Sequence, residues 1–196
     1  MSMGGRYSWK FCVHALVATI AFGSATVAGQ RDASAQKYVT GFDEFNADPT
    51  DWSPWHSGVA GVTVKNYALA WSPGRAAMLY LNTGGTPGSD FALIDKIFTL
   101  HSDHGGVIMC EASAAIQAPI RAVSGAIQLI DADSWTYLSS TPFQHTGPSS
   151  DWHDEWTSFL GDCPRSLDVR IVLNRTATSA TRVWVDDVYV EWYYDH

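Results

Sequence analysis

Arg182-Val183-Trp184-Val185-Asp186-Asp187-Val188-Tyr189-Val190-Glu191-Trp192 is the stretch on which the fold of this chain turns. It is filled with aromatic and β-branched residues that favour a pleated backbone, and it holds no Gly or Pro to break a strand. Two adjacent acids interrupt it. Neighbouring strand residues face opposite ways, so each side is expected to receive one carboxylate. Asp186 falls with Trp184, Val188 and Val190, and Asp187 with Val183, Val185 and Tyr189. A buried carboxylate is costly unless hydrogen bonds, an opposite charge or a metal compensates it.

Working outward, Leu167-Asp168-Val169-Arg170-Ile171-Val172-Leu173 has large aliphatics at every odd position and charges at two of the three even ones. That period of two describes a strand with one buried face. Further strands are expected at 38–42, 59–65, 76–81, 91–100, 107–114, 122–130, 135–139 and 156–160, each rich in Val, Ile, Phe, Tyr or Trp. Turn-forming connectors separate them, such as Asn82-Thr83-Gly84-Gly85-Thr86-Pro87-Gly88 and Thr146-Gly147-Pro148-Ser149-Ser150. No segment after the N-terminal region carries a convincing helical period, although a short helical turn is conceivable at 112–120 or 151–155. Many short strands with frequent turns predict an all-β chain, a sandwich of two antiparallel sheets.

The N-terminus has a different character. Arg6 and Lys10 precede an apolar run from Phe11 to Phe22, and small residues follow up to Ala33-Ser34-Ala35. This is the layout of a secretory signal peptide, expected to span residues 1–35, with cleavage after Ala28 as the second choice. The run is short for a membrane span, and no later segment is long and apolar enough for one. One domain, residues 36–196, is expected to remain, with a secreted, periplasmic or cell-surface location. Cys110 and Cys163 are then its only cysteines, and an even pair in an exported protein reads as a disulfide. The net charge of −8 disfavours nucleic acid and anionic membrane surfaces as partners. Asn174-Arg175-Thr176 fits the acceptor pattern for N-glycosylation.

The same residues carry a resemblance. Gly41-Phe42-Asp43-Glu44-Phe45 followed by Trp52 and Trp55, the strand-like Lys96-Ile97-Phe98-Thr99-Leu100, Cys163-Pro164 ahead of the strand at 167–173, and the final Asp186-Asp187-Val188 occur in an order similar to that of jelly-roll, galactose-binding-like carbohydrate-binding modules. The resemblance covers most of residues 36–196. It implies a jelly-roll sandwich, non-catalytic recognition of a polysaccharide or glycoconjugate, and a structural Ca²⁺ where the first and last strands meet. The acids it places there are Asp43 or Glu44 with Asp186 or Asp187, and oxygen ligands suit that ion.

Sugar rings present faces of C–H bonds that stack on flat aromatic side chains, with a few placed polar groups beside them. Aromatics set among polar neighbours are therefore the candidate ligand residues: Trp52, Trp55, Trp135, Tyr137, Trp152 and Trp156. Trp is also highly buried on average, so core packing competes for each, and Trp184 and Trp192 are assigned mainly to the core and sheet surface. Two other classes of function stay open: an extracellular structural or protein-binding sandwich, and a small glycan hydrolase or lyase. The second would need Asp151, Asp154 or Glu155 to face Asp131 or Asp133 across a cleft. His101 and His104, three residues apart, lack a visible third metal ligand. No nucleophile elbow, phosphate-binding glycine loop or zinc-protease motif occurs.

Overall fold

The structure, a computed structural model, describes residues 37–43, 45, 51–67, 70–72, 74–101 and 106–194. The expected leader (1–35), Glu44 and His104 lie outside them. Eleven strands follow one another: β1 Lys37–Asp43, β2 Ser53–His56, β3 Ala60–Tyr67, β4 Gly74–Leu81, β5 Phe91–Thr99, β6 Val107–Gln117, β7 Val123–Asp131, β8 Tyr137–His145, β9 Trp152–Leu160, β10 Ser166–Asn174 and β11 Thr181–Tyr194. All ladders are antiparallel, and among the described residues there is no α-helix. The strands form two sheets with the jelly-roll sandwich architecture. One runs β3-β4-β11-β6-β9, with β1 also paired to β11, and the other runs β2-β5-β10-β7-β8.

The alternating pattern places the core. Val183, Val185, Val188, Val190 and Trp192 of β11 face Leu167, Val169, Ile171 and Leu173 of β10, and all are buried in one cluster. The Cys110–Cys163 disulfide lies in this core, Cα atoms 6.0 Å apart, and ties β6 to the segment before β10. Its sequence separation of 53 makes it worth about 4 kcal/mol in the chain-entropy view. At one open side, β8 and β9 are edge strands of different sheets, joined by a polar seam. Thr157 Oγ1 bonds Ser139 Oγ at 2.8 Å and accepts from Thr141 Oγ1 at 3.0 Å. Further along, the rings of His145 and His153 lie 4.5 Å apart, and Glu155 is 3.2 Å from His145 Nε2.

Several expectations need correction. The segments at 112–120 and 151–155 are mostly strand, because their small and apolar residues pair across β6 and β9. The strand expected at 135–139 begins at Tyr137 and runs on to His145. Trp135 instead sits in the preceding turn with φ +57°. The short β2 gave no alternating signal, since all four of its residues are exposed.

The largest departure concerns Asp186 and Asp187. They do not face opposite ways. The ladder between β11 and β6 slips between Asp186 and Tyr189, and Asp187 adopts φ +45°. This bulge adds one residue and re-phases the strand, so Val185 and Val188 both point into the core and both acids turn to the outer face. Asp is among the residues that tolerate this left-handed conformation.

Candidate functional site

The bulge lies at a gap in the sheet. On one edge of β11, β4 pairs as far as Val185, and β1 takes over only at Val188. Asp186 and Asp187 fall between, and the loop before β4 fills the space. The Ser72 amide donates to Asp186 Oδ2 at 3.0 Å, and its hydroxyl donates to Asp187 Oδ2 at 2.8 Å. The Asp187 amide in turn donates to Asp186 Oδ1 at 2.9 Å. Burial raises the Asp186 carboxyl to about 6 despite these hydrogen bonds. Fixing Ser72 also fixes its neighbour Trp71, which stands 54% exposed above the sheet.

Opposite Trp71, an aromatic row crosses the sheet. Trp156 of β9 is in register with Ser113 of β6, Ser113 with Tyr189 of β11, and Tyr189 with Phe42 of β1. Trp156 is 56% exposed, and Phe42 stacks on Tyr189 with ring centroids 4.3 Å apart. The one small side chain in the row, Ser113, leaves a trough between the large ones. A cavity of about 310 Å³ opens there between Trp71, Trp156 and Tyr189, with Ser113 and Ala114 among its lining. Its polar groups are Glu111, Asp154 and Asp187. Burial and the facing Glu191 hold the Glu111 carboxyl above its ordinary value. Flat apolar walls with a few carboxylates on the floor suit a ligand with C–H faces and hydroxyl edges.

The sequence-derived residues divide among several places. Trp156 is in this trough. Trp152 lies on the same outer face, partly buried against a small cluster of Ala76, Met78 and Trp184. Trp55, Trp135 and Tyr137 are exposed on the outer face of the other sheet or at its edge. Trp52, just ahead of β2, is a core residue, 3% exposed and packed on Phe45 and Phe98. Trp71, Tyr189, Phe42 and Glu111 were not singled out beforehand. Trp71 sits in a polar turn like the candidates that were, whereas Tyr189 and Phe42 become a row only through strand register.

Of the acids expected to share a calcium ion, Asp43 and the pair on β11 have other partners. Asp43 faces Lys96, whose ammonium lies 2.5 Å from Oδ2, while its Oδ1 accepts the Phe45 amide at 2.6 Å. Asp186 and Asp187 are engaged by Ser72. Among the described residues, no three His, Cys, Asp or Glu side chains are grouped to hold a metal. Asp43 thus already has a cation partner. The acids expected to flank a scissile bond are also apart. Asp131 ends β7, where it accepts from the Ser134 hydroxyl and the Asp133 amide, whereas Asp154 lines the trough on the other sheet. Glu155 points the other way, toward His145.

No family model and no curated protein matches the chain. Solved structures do. The module TmCBM61, in complex with β-1,4-galactotriose, aligns with a TM-score of 0.55 at 14% identity, over 75% of this chain and 92% of that one. The CBM22-1 xylan-binding domain of Paenibacillus barcinonensis Xyn10C aligns with a TM-score of 0.51 at 12% identity, over 77% and 92%. A Stig cyclase from Fischerella sp. TAU aligns with a TM-score of 0.51 at 14% identity, over 79% and 88%. The chain therefore shares the jelly-roll fold of carbohydrate-binding modules, a fold that also carries an enzyme.

Proposed function

We propose that this chain is an exported, non-catalytic domain that binds a neutral polysaccharide strand along the outer face of its six-stranded sheet. The observation that carries this reading is the row Trp156–Ser113–Tyr189–Phe42, faced by Trp71 across the cavity. In the bound state a sugar ring stacks on Trp156 and Trp71, and Glu111, Asp154 and Asp187 accept hydrogen bonds from its hydroxyls. These carboxylates, with the net charge of −8, discriminate against uronic-acid-rich polymers. The fold shared with modules solved with a galactotriose or described as xylan-binding supports the ligand class. The disulfide suits an oxidising compartment.

The test is native electrophoresis through gels containing soluble xylan, β-1,4-galactan or polygalacturonate, with intrinsic tryptophan fluorescence as the second readout. Retardation and quenching by a neutral polymer, weakened about ten-fold in Trp156→Ala, are expected. Release of reducing ends from any of the three polymers would replace the binding reading with an enzymatic one. Absence of retardation on all of them would remove it.

A further inference from the structure

The opposite sheet presents a second pair of outward indoles. Trp55 on β2 is 62% exposed and Trp135 in the turn before β8 is 57% exposed. Neither shields the core. A charged cluster lies between them. Trp55 is in register with Leu93 of β5, two residues from Asp95, and Asp95 is the register partner of Arg170 on β10. The Arg170 guanidinium lies under the Trp135 ring, 5.6 Å from its centroid, and 2.8 Å from Asp168 Oδ2. Asp168 is fully buried, yet both its oxygens lack an aligned hydrogen bond, as do Asp95 Oδ1 and Arg170 Nε. A buried, under-bonded cluster on a solvent face is a stability cost. So is the left-handed backbone that holds Trp135 outward. What these costs maintain is two aromatic faces, one on edge strand β2 and one held over Arg170 of β10, with Asp95 and Arg170 partly exposed between them.

We infer that Trp55, Asp95, Arg170 and Trp135 form a second glycan-binding platform, which makes the domain bivalent for polysaccharide strands on its two outer faces. Stacking on two indoles suits a neutral sugar chain, and the partly exposed Arg170 and Asp95 supply one donor and one acceptor for its hydroxyls. The inference shares with the preceding reading only its ligand class, and the residues are independent. Two sites on opposite faces cross-link polymer chains where one site can only decorate them.

Electrophoresis through xylan and β-1,4-galactan gels, with turbidity of protein–polysaccharide mixtures, separates the two sites. Trp55→Ala/Trp135→Ala and Trp156→Ala should each lose part of the retardation, about ten-fold in apparent affinity, and the triple variant all of it. Only the wild type should produce turbidity. Both indoles are exposed, so the melting temperature should hold within about 2 °C. Should the double variant unfold, Trp55→Ala alone, which leaves Trp135 over Arg170, is measured in its place. A Trp55→Ala/Trp135→Ala protein that binds and clouds polysaccharide like the wild type overturns the second platform and leaves the first. Retardation that survives Trp156→Ala and vanishes in the double variant sustains this platform and overturns the first. A wild type that neither polymer retards overturns both.

Discussion

The Ser72 hydroxyl donates to Asp187 across 2.8 Å, and the amide of the same serine donates to Asp186. One residue thus meets both acids that the bulge turns outward, and it does so at the base of the Trp71 wall. Ser72→Ala removes the hydroxyl donor from a buried carboxylate, which should destabilise the domain by about 1–3 kcal/mol. Because Trp71 is the next residue, polysaccharide affinity should fall as well. Urea denaturation and gel retardation measure the two effects. A variant with an unchanged midpoint would show that Ser72 does not support the bulge.

Trp52 and Trp156 separate packing from recognition. Trp52 is enclosed by Phe45 and Phe98, so Trp52→Ala should cost about 3–5 kcal/mol. Trp156→Ala opens no core cavity, and its stability should stay within about 0.5 kcal/mol of the wild type. Its affinity should nevertheless fall about ten-fold or more, the equivalent of ~1.4 kcal/mol of lost stacking. Trp71→Ala should behave like Trp156→Ala. Equal destabilisation by all three substitutions would place Trp71 and Trp156 in the structural core.

Asp43 is engaged by Lys96, and the two acids of β11 by Ser72. We therefore expect EDTA to leave the melting temperature unmoved and added Ca²⁺ not to raise it. Lys96→Met should lower it instead, because it strands a part-buried carboxylate. Differential scanning fluorimetry reads all three. A fall of several degrees in EDTA, reversed by Ca²⁺, would restore the calcium expectation and require the acids to rearrange.

Some of this was legible in the sequence and some was not, for physical reasons. The Leu167–Leu173 alternation stated its own strand and its buried face, because period two survives any arrangement of neighbours. Cys110 and Cys163 were legible because they are the only two cysteines outside the expected leader. The outward turn of Asp187 was not: a bulge breaks the periodicity from which facing is read. Nor was the row Trp156–Ser113–Tyr189–Phe42 legible, since it gathers one residue from each of four strands far apart in sequence. Trp52 and Trp55 differ by three residues and share polar neighbours, yet one is core and the other exposed. Strand placement at the sandwich edge decides that difference.

Acid and base limbs of stability should oppose each other. Asp168 and Asp186 are both raised to about 6 from 3.8, chiefly by burial. Each binds its proton more tightly folded than unfolded, so each favours folding more as pH falls from about 6 toward 4. At about 1.4 kcal/mol per pH unit between folded and unfolded titrations, the full gain is roughly 3 kcal/mol for each acid. His145 works the other way. Burial, then the adjacent His153, lowers its pKa below 6.5, so the stability it contributes above 6.5 is lost as pH falls through its folded pKa. Glu155 is the carboxylate beside this pair, and burial raises its own pKa, which limits the compensation it gives. The wild type should therefore show a shallow dependence between pH 7 and 5. His145→Phe should grow more stable across that range, and Asp186→Asn should keep only the loss on acidification that His145 imposes, offset in part by Asp168. Chemical denaturation at half-unit pH steps checks this, and an Asp186→Asn profile that still rises toward acid as steeply as that of His145→Phe would exclude Asp186 as a source of the gain.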